Sequence, residues 1–315
     1  MNRILHGFTG MLVWSMVVGS ADMAVAETGQ KGGDDRKFIA RYVDAEDSVF
    51  ENPDVAKGPW SVLTPKKVIL LPQNITTPSK FKPSVDTIDV RVVHNGKWIG
   101  IAVSWEDDSR SETTATGVFS DALAVGFPHG DLTTTSPFMG GHGGAYMEIN
   151  CWKALWQRDI DKGYQEVTDL HPNTVADEYV GFRSEHLPDS NPASSAHMAE
   201  IMATPEGREG LPAVAIGNPM SQINRDTPVE QAIAEGFGTL STQQQQDARA
   251  NAVYQQDRWT VVIARPLNTS DDADVHLAVG EETGINFAVW EGGEGDVSGR
   301  KSYSMFTPLL IAARE

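Results

Sequence analysis

Cysteine is almost missing from this sequence. The 315 residues include one, Cys151, which excludes an intramolecular disulfide. With no CxxCH run present, the usual covalent c-type haem attachment is excluded as well. Long apolar runs are absent after the first residues, so no later segment is apolar enough to cross a bilayer as a helix. Positive charge is scarce: 25 Lys and Arg stand against 43 Asp and Glu, a formal net charge of -18. That balance argues against nucleic acid and anionic membrane surfaces and favours neutral or cationic partners. There is no GxSxG or HExxH motif, and no serine or cysteine in a recognisable nucleophile setting. The 8 His residues are scattered without the close spacing of a zinc or copper site. Stability must therefore come from a large core or from a bound cofactor.

The opening MNRILHGFTGMLVWSMVVGSADMAVA has Arg3, an apolar run from Met11 to Val18 and the small-residue site Ala24, Val25, Ala26. This is the layout of a cleavable secretory signal. Ser15, Gly19 and Ser20 interrupt the apolar run, which is too short for a membrane anchor. The expectation is a signal peptide over 1–26, followed by an exported, single-domain chain over 27–315, roughly 290 residues.

Strand patterns dominate the rest. Lys67 to Leu71 (KVILL) reads as a buried strand ended by Pro72. Thr87 to Val93 and Lys97 to Trp105 alternate at period two around His94, Asn95 and Gly96, a hairpin signal. Ala122 to Phe127 and Tyr146 to Trp152, the latter within a strand expected over Ala145 to Leu155, flank a glycine-rich loop that presents Met139 and His142; its glycines allow backbone to approach something bulky and flat. Residues 159–256, with seven prolines and the Gln243 to Gln246 run, read as a long irregular, partly helical insertion. Pro228 to Glu235 is its clearest helical pattern, opened by proline and closed by Gly236. Strand patterns return at Arg258 to Ala264, Ile285 to Trp290 and Ser302 to Leu310. The fold class predicted is mainly β, an antiparallel sandwich carrying that insertion.

Few residues announce chemistry. Glu106, Asp107 and Asp108 close a strand; such a run binds calcium in some proteins and more often forms a solvated turn. Cys151 reads as a small buried hydrophobe. Met139, between Phe138 and Gly140, is placed either to offer a thioether at the edge of an apolar pocket or to fill a gap in the core. Lys301 follows a glycine-rich loop, where a lysine is ordinarily a solvated strand-edge charge.

Taken in order, LLPQNITTP (Leu70 to Pro78), KWIGIAVSWED (Lys97 to Asp107), DALAVGFP with PFMGG (Asp121 to Gly141), WKALWQ (Trp152 to Gln157), AIGNP (Ala215 to Pro219), GFGTL (Gly236 to Leu240), RWTVVIARPL (Arg258 to Leu267) and FAVWEGG with GRKSYS are found along the chain. The combination resembles the haem b-binding gamma subunits of periplasmic molybdenum enzymes: ethylbenzene dehydrogenase, dimethyl sulfide dehydrogenase, selenate reductase and chlorate reductase. It runs from about Trp60 to the end of the sequence.

The resemblance implies a β-sandwich that binds one haem b, with Met139 and Lys301 as axial iron ligands. His142 and Met147 are the fallback ligands. It further implies a non-catalytic electron-transfer subunit in the periplasm. Its partners would be an iron-sulfur beta subunit, a molybdenum-containing alpha subunit and a soluble periplasmic cytochrome. Two other readings stand beside it. One is a carbohydrate-binding sandwich without haem, using Trp98, Trp105 or Trp290 as stacking platforms. The other is a metal-dependent hydrolase built on Glu106, Asp107 or Asp108, for which no assembled motif is present.

Overall fold

A computed structural model describes residues 37–133, 135–141, 145–173, 204–205 and 212–314. The expected signal peptide over 1–26 and His142 lie outside the described residues. Fourteen strands are formed among those described. The first five are β1 (Phe38–Tyr42), β2 (Lys66–Ile69), β3 (Leu71–Pro72), β4 (Thr87–His94) and β5 (Trp98–Glu106). Next come β6 (Ala122–His129), β7 (Tyr146–Lys153), β8 (Val229–Ala234), β9 (Ser241–Thr242) and β10 (Arg249–Tyr254). The last are β11 (Arg258–Pro266), β12 (Glu282–Trp290), β13 (Ser302–Tyr303) and β14 (Thr307–Ile311).

The β4–β5 hairpin forms for the local reason its sequence suggests. Asn95 Oδ1 accepts from the backbone amides of Lys97 and Trp98, at 3.0 and 2.8 Å, while Gly96 takes φ +93°. That turn fixes the register from Asp89 opposite Ser104 to His94 opposite Ile99. One layer has the order β10, β11, β5, β4, β2. The other runs β9, β8, β7, β6, β12, then β13 and β3. β1 joins the layers: Phe38 to Ala40 pair with β14, and Arg41 and Tyr42 pair with β4, both in parallel. The other ladders among the described residues are antiparallel, so the fold is the mainly β sandwich expected, with β1 as a parallel connector.

Between the layers, Val90, Ile101, Val261 and Ile263 meet Leu123, Val125, Phe127 and Val289. Trp152 packs edge-on to both Trp105 and Trp259, with centroids 6.3 and 5.0 Å apart, so three indoles anchor the core through area and geometry together. The outer face of the first layer is closed by Phe50, on the short helix α1 (Ser48–Glu51), and by Trp60.

Three local expectations need correction. The Lys67 to Leu71 segment is an edge strand, not a buried one: Val68 and Leu70 turn inward, whereas Ile69 is 72% exposed, with no described residue covering its outer face. Ala154 and Leu155 leave β7 and open the helix α2 (Ala154–Lys162), which ends at Gly163 with φ +95°. Pro228 to Glu235 forms no helix. It becomes β8, because the free edge of β7 supplies backbone partners from Met147 to Trp152 and Val229 is buried in the core. Tertiary pairing there outweighs a helical pattern one turn long. The stretch read as irregular thus contributes β8, β9 and β10 to the sandwich.

Candidate functional site

The two faces of β6 diverge. Leu123, Val125 and Phe127 point into the core, while Ala122, Ala124 and Gly126 line a cavity on the opposite face. β7 turns Met147, Ile149, Cys151 and Lys153 toward that cavity, β8 adds Glu230 and Ala232, and β12 adds Asn286, Ala288 and Trp290. Small side chains on adjacent strands leave a space of about 480 Å³, within the roughly 300–1,000 Å³ of ligand and cofactor pockets. At Gly126 an added Cβ would lie 2.3 Å from Asn286 Oδ1 and 2.6 Å from Met147 Cε, so even one methyl is disfavoured there.

Met139 closes this space from the loop after β6. Its φ is +71°, a left-handed conformation that costs a non-glycine residue energy and persists only where its surroundings enforce it. Those surroundings are visible. Gly236 N–H donates to Met139 O at 2.7 Å, Gly140 N–H to Ser136 O at 3.0 Å and Gly141 N–H to Ala145 O at 2.9 Å. Asn286 Nδ2 holds Pro137 O at 3.2 Å. Gly140 presses so closely on the sheet that a Cβ would come 2.7 Å from Ala234 O. The loop is thereby fastened to β7 and β8, and the thioether is presented inward.

Lys301 arrives from the other end of the sequence. A tight turn, in which Val297 and Arg300 exchange backbone hydrogen bonds of 3.0 and 2.9 Å, returns the chain from β12. Lys301 O then accepts from Gln73 N–H at 3.0 Å, and Ser302 enters β13 between β12 and β3. The Lys301 ammonium lies 4.8 Å from the centre of the Trp290 ring and 4.0 Å from Met139 Sδ. No described carboxylate makes an ion pair with it, and burial pushes its pKa below the usual lysine range. Lys80 and Lys153 differ in this respect, being paired with Asp296 and Glu230. Lys301 is therefore no solvated edge charge.

The structure brings Met139, Lys301 and Met147 to one cavity; Met147 lies in β7, buried on the cavity wall. Of the proposed stacking platforms, Trp105 is buried in the core, Trp98 packs against the Phe50 and Trp60 cluster, and Trp290 lines the cavity. The three are not on one face. The carboxylate run divides: Glu106 and Asp108 are exposed, whereas Asp107 is only 4% exposed, so the run is not uniformly a solvated turn. The sequence did not mark Asn286 as a site residue, and it marked Trp290 only as a sugar-stacking platform. Their alternate spacing on β12, with Ala288 between them, was the available signal.

The description of the ethylbenzene dehydrogenase family matches residues 57–302. Among curated proteins, the chain is 29% identical over 111 residues to a protein named respiratory nitrate reductase heme subunit from Haloferax mediterranei, covering 34% of this chain. It is 30% identical over 95 residues to the chlorate reductase subunit gamma of Ideonella dechloratans, covering 29% of this chain. The matches span 40% of the length of each of these relatives. Solved structures that it resembles include a family 9 carbohydrate binding module from Caldicellulosiruptor kristjanssonii in complex with cellotriose, at 7% identity and a TM-score of 0.38, covering 89% of this chain and 95% of that one. The same module in complex with glucose gives 7% identity and a TM-score of 0.32, covering 89% and 97%. With the family match extending over residues 57–302, from the segment before β2 to the start of β13, the chain belongs to the ethylbenzene dehydrogenase family.

Proposed function

We propose that this chain is a non-catalytic electron-transfer subunit that binds one haem b between Met139 and Lys301. The observation that carries the reading is a thioether and an unpaired amine 4.0 Å apart in an apolar cavity. The names of the two curated relatives, a heme subunit and a gamma subunit of reductases, support it.

The donor set fits a haem iron. Met139 offers a neutral sulfur, which favours the ferrous state. Lys301 must offer a lone pair, and desolvation of its side chain favours the neutral amine that has one. Phe138, Phe237 and Tyr303 rim the cavity and limit water around both donors. Asn286 and the glycine contacts keep Met139 in place, so little order remains to be gained on binding. When bound, haem would supply a one-electron ferric–ferrous couple. With both axial donors coming from the protein, no position is left for a substrate, and relay of electrons is the function that follows.

The same reading places the chain in the periplasm, exported by its first 26 residues. There it would pass electrons between the iron-sulfur subunit of a molybdenum enzyme and a soluble cytochrome. No helix among the described residues is long and apolar enough to cross a membrane. The test is reconstitution of the chain with haem and an absorption spectrum. A six-coordinate low-spin spectrum that is lost or shifted in Met139→Ala and in Lys301→Ala is the expected result. Failure to take up haem would overturn the function, and unchanged spectra in both variants would overturn the ligands.

A further inference from the structure

Three carboxyl groups converge where three strands end. Asp107 follows β5, Asp121 precedes β6 and Glu291 follows β12. All three are buried, and one oxygen from each lies within 4.8 Å of the other two. None is paired with a described Lys, Arg or His. The basic side chains Lys80 and Arg300 are instead engaged by Asp296, whose Oδ2 also accepts from Glu291 N–H at 3.3 Å.

The cluster is built rather than incidental. Asp121 Oδ1 accepts from Gly292 N–H at 2.8 Å, and its Oδ2 accepts from Ser111 N–H at 2.8 Å and Trp259 Nε1 at 2.9 Å. Glu291 Oε1 accepts from Ser109 Oγ at 2.8 Å and Gly293 N–H at 3.1 Å. Two glycines are needed to bring those amides so close: a Cβ on Gly292 would lie 2.1 Å from Phe119 O, and one on Gly293 2.4 Å from Ser109 Oγ. Asp107 Oδ1 accepts from Ser109 N–H at 2.9 Å, but its Oδ2 is buried with no donor. The Asp107 and Glu291 carboxyls are within hydrogen-bonding reach of each other, so with both ionised two acceptors face each other.

Buried carboxylates without a counter-charge are strongly disfavoured, so protons or a cation must sit among them. Two oxygens held by one calcium ion, at about 2.4 Å each, are at most about 4.8 Å apart, and the three oxygens here all lie within that distance of one another. An all-oxygen donor set selects a hard cation over zinc or copper. Asp107 and Glu291 also border an open polar groove of about 920 Å³, which gives an ion a way in and leaves room for water ligands. We propose that Asp107, Asp121 and Glu291 form a binding site for one divalent cation, with calcium the best fit. The ion ties together the ends of β5, β6 and β12. Because Asp121 also lines the cavity that holds Met139 and Lys301, the ion fixes one wall of that cavity.

The test uses the purified full chain without haem, so it is independent of the haem reading. Terbium, which replaces calcium and emits when a nearby indole is excited, is added and then displaced with calcium. Trp259 touches Asp121 directly, so tryptophan-sensitised emission that calcium quenches, at one ion per chain, is expected. Saturating calcium also raises the melting midpoint over chelator by about 5 °C or more. Asp107→Asn and Glu291→Gln each weaken binding at least about tenfold, while Asp108→Asn, on the exposed neighbour, leaves it unchanged. Emission and calcium affinity that survive in both cluster variants would overturn the assignment. So would a wild-type chain with neither sensitised emission nor a calcium-dependent midpoint, a result that stands even if the variants do not fold.

Discussion

Strand β6 serves two interiors that are built on opposite rules. Toward the core it presents Leu123, Val125 and Phe127, which are fully buried among large neighbours. Toward the cavity it presents Ala122, Ala124 and Gly126. β7 repeats the division in polar terms. On its core face Glu148 meets Arg265 in an ion pair with both side chains fully buried. There Glu148 also accepts from Val275 N–H and Asn150 Nδ2, each at 2.8 Å. On the cavity side Lys301 has no such carboxylate. The lesson is that a sheet with two buried faces can divide its tasks: one face is filled and its Glu148–Arg265 charges are matched, and the other is kept small with the Lys301 amine left without a carboxylate.

That contrast can be broken on either face. The largest loss of stability is expected on the filled side. Phe127→Ala should cost about 3–5 kcal/mol in denaturant unfolding, and Glu148→Gln a similar amount because it leaves the Arg265 charge buried alone. A loss below about 1 kcal/mol for both would mean that the core face is not where stability resides. Filling the cavity should act the other way. Ala124→Leu is expected to change stability by less than about 1 kcal/mol yet to abolish uptake of haem, read as the absence of its absorption bands after reconstitution; normal uptake would show that the cavity is not its site.

The smallest effect belongs to Lys301→Met. Burial lowers the Lys301 pKa in the folded chain, so over the range from that lowered value up to the ordinary lysine value near 10.5 the unfolded chain binds more protons. Wild-type stability without haem should therefore rise with pH across that window. Lys301→Met should be the more stable chain at neutral pH, with its advantage shrinking as pH is raised. Urea titrations at pH 7 and pH 10 measure this, and an advantage that grows with pH would refute the buried-charge argument.

What could be read in the sequence followed how local each cause was. The β4–β5 hairpin was legible because Asn95 and Gly96 dictate its turn within four residues. β8 was not, since its conformation is decided by the edge of β7, far away in sequence. Met139 and Lys301 could not be linked by spacing or periodicity; only the order of the family motifs joined them. Even so, Lys301 alone reads as an edge charge until Trp290 and the cavity are seen around it. Asp107, Asp121 and Glu291 were each an ordinary strand-end acid, and nothing short of the folded topology brings three strand ends together.

The two donors of the cavity are 162 residues apart. A chain in the course of synthesis therefore possesses no complete clamp, since the thioether is made long before the amine, and the amine is in place only when β13 has docked between β12 and β3. On the proposed reading, a haem held between Met139 and Lys301 is captured only by a finished sandwich, which makes occupancy of the clamp a report on the quality of assembly.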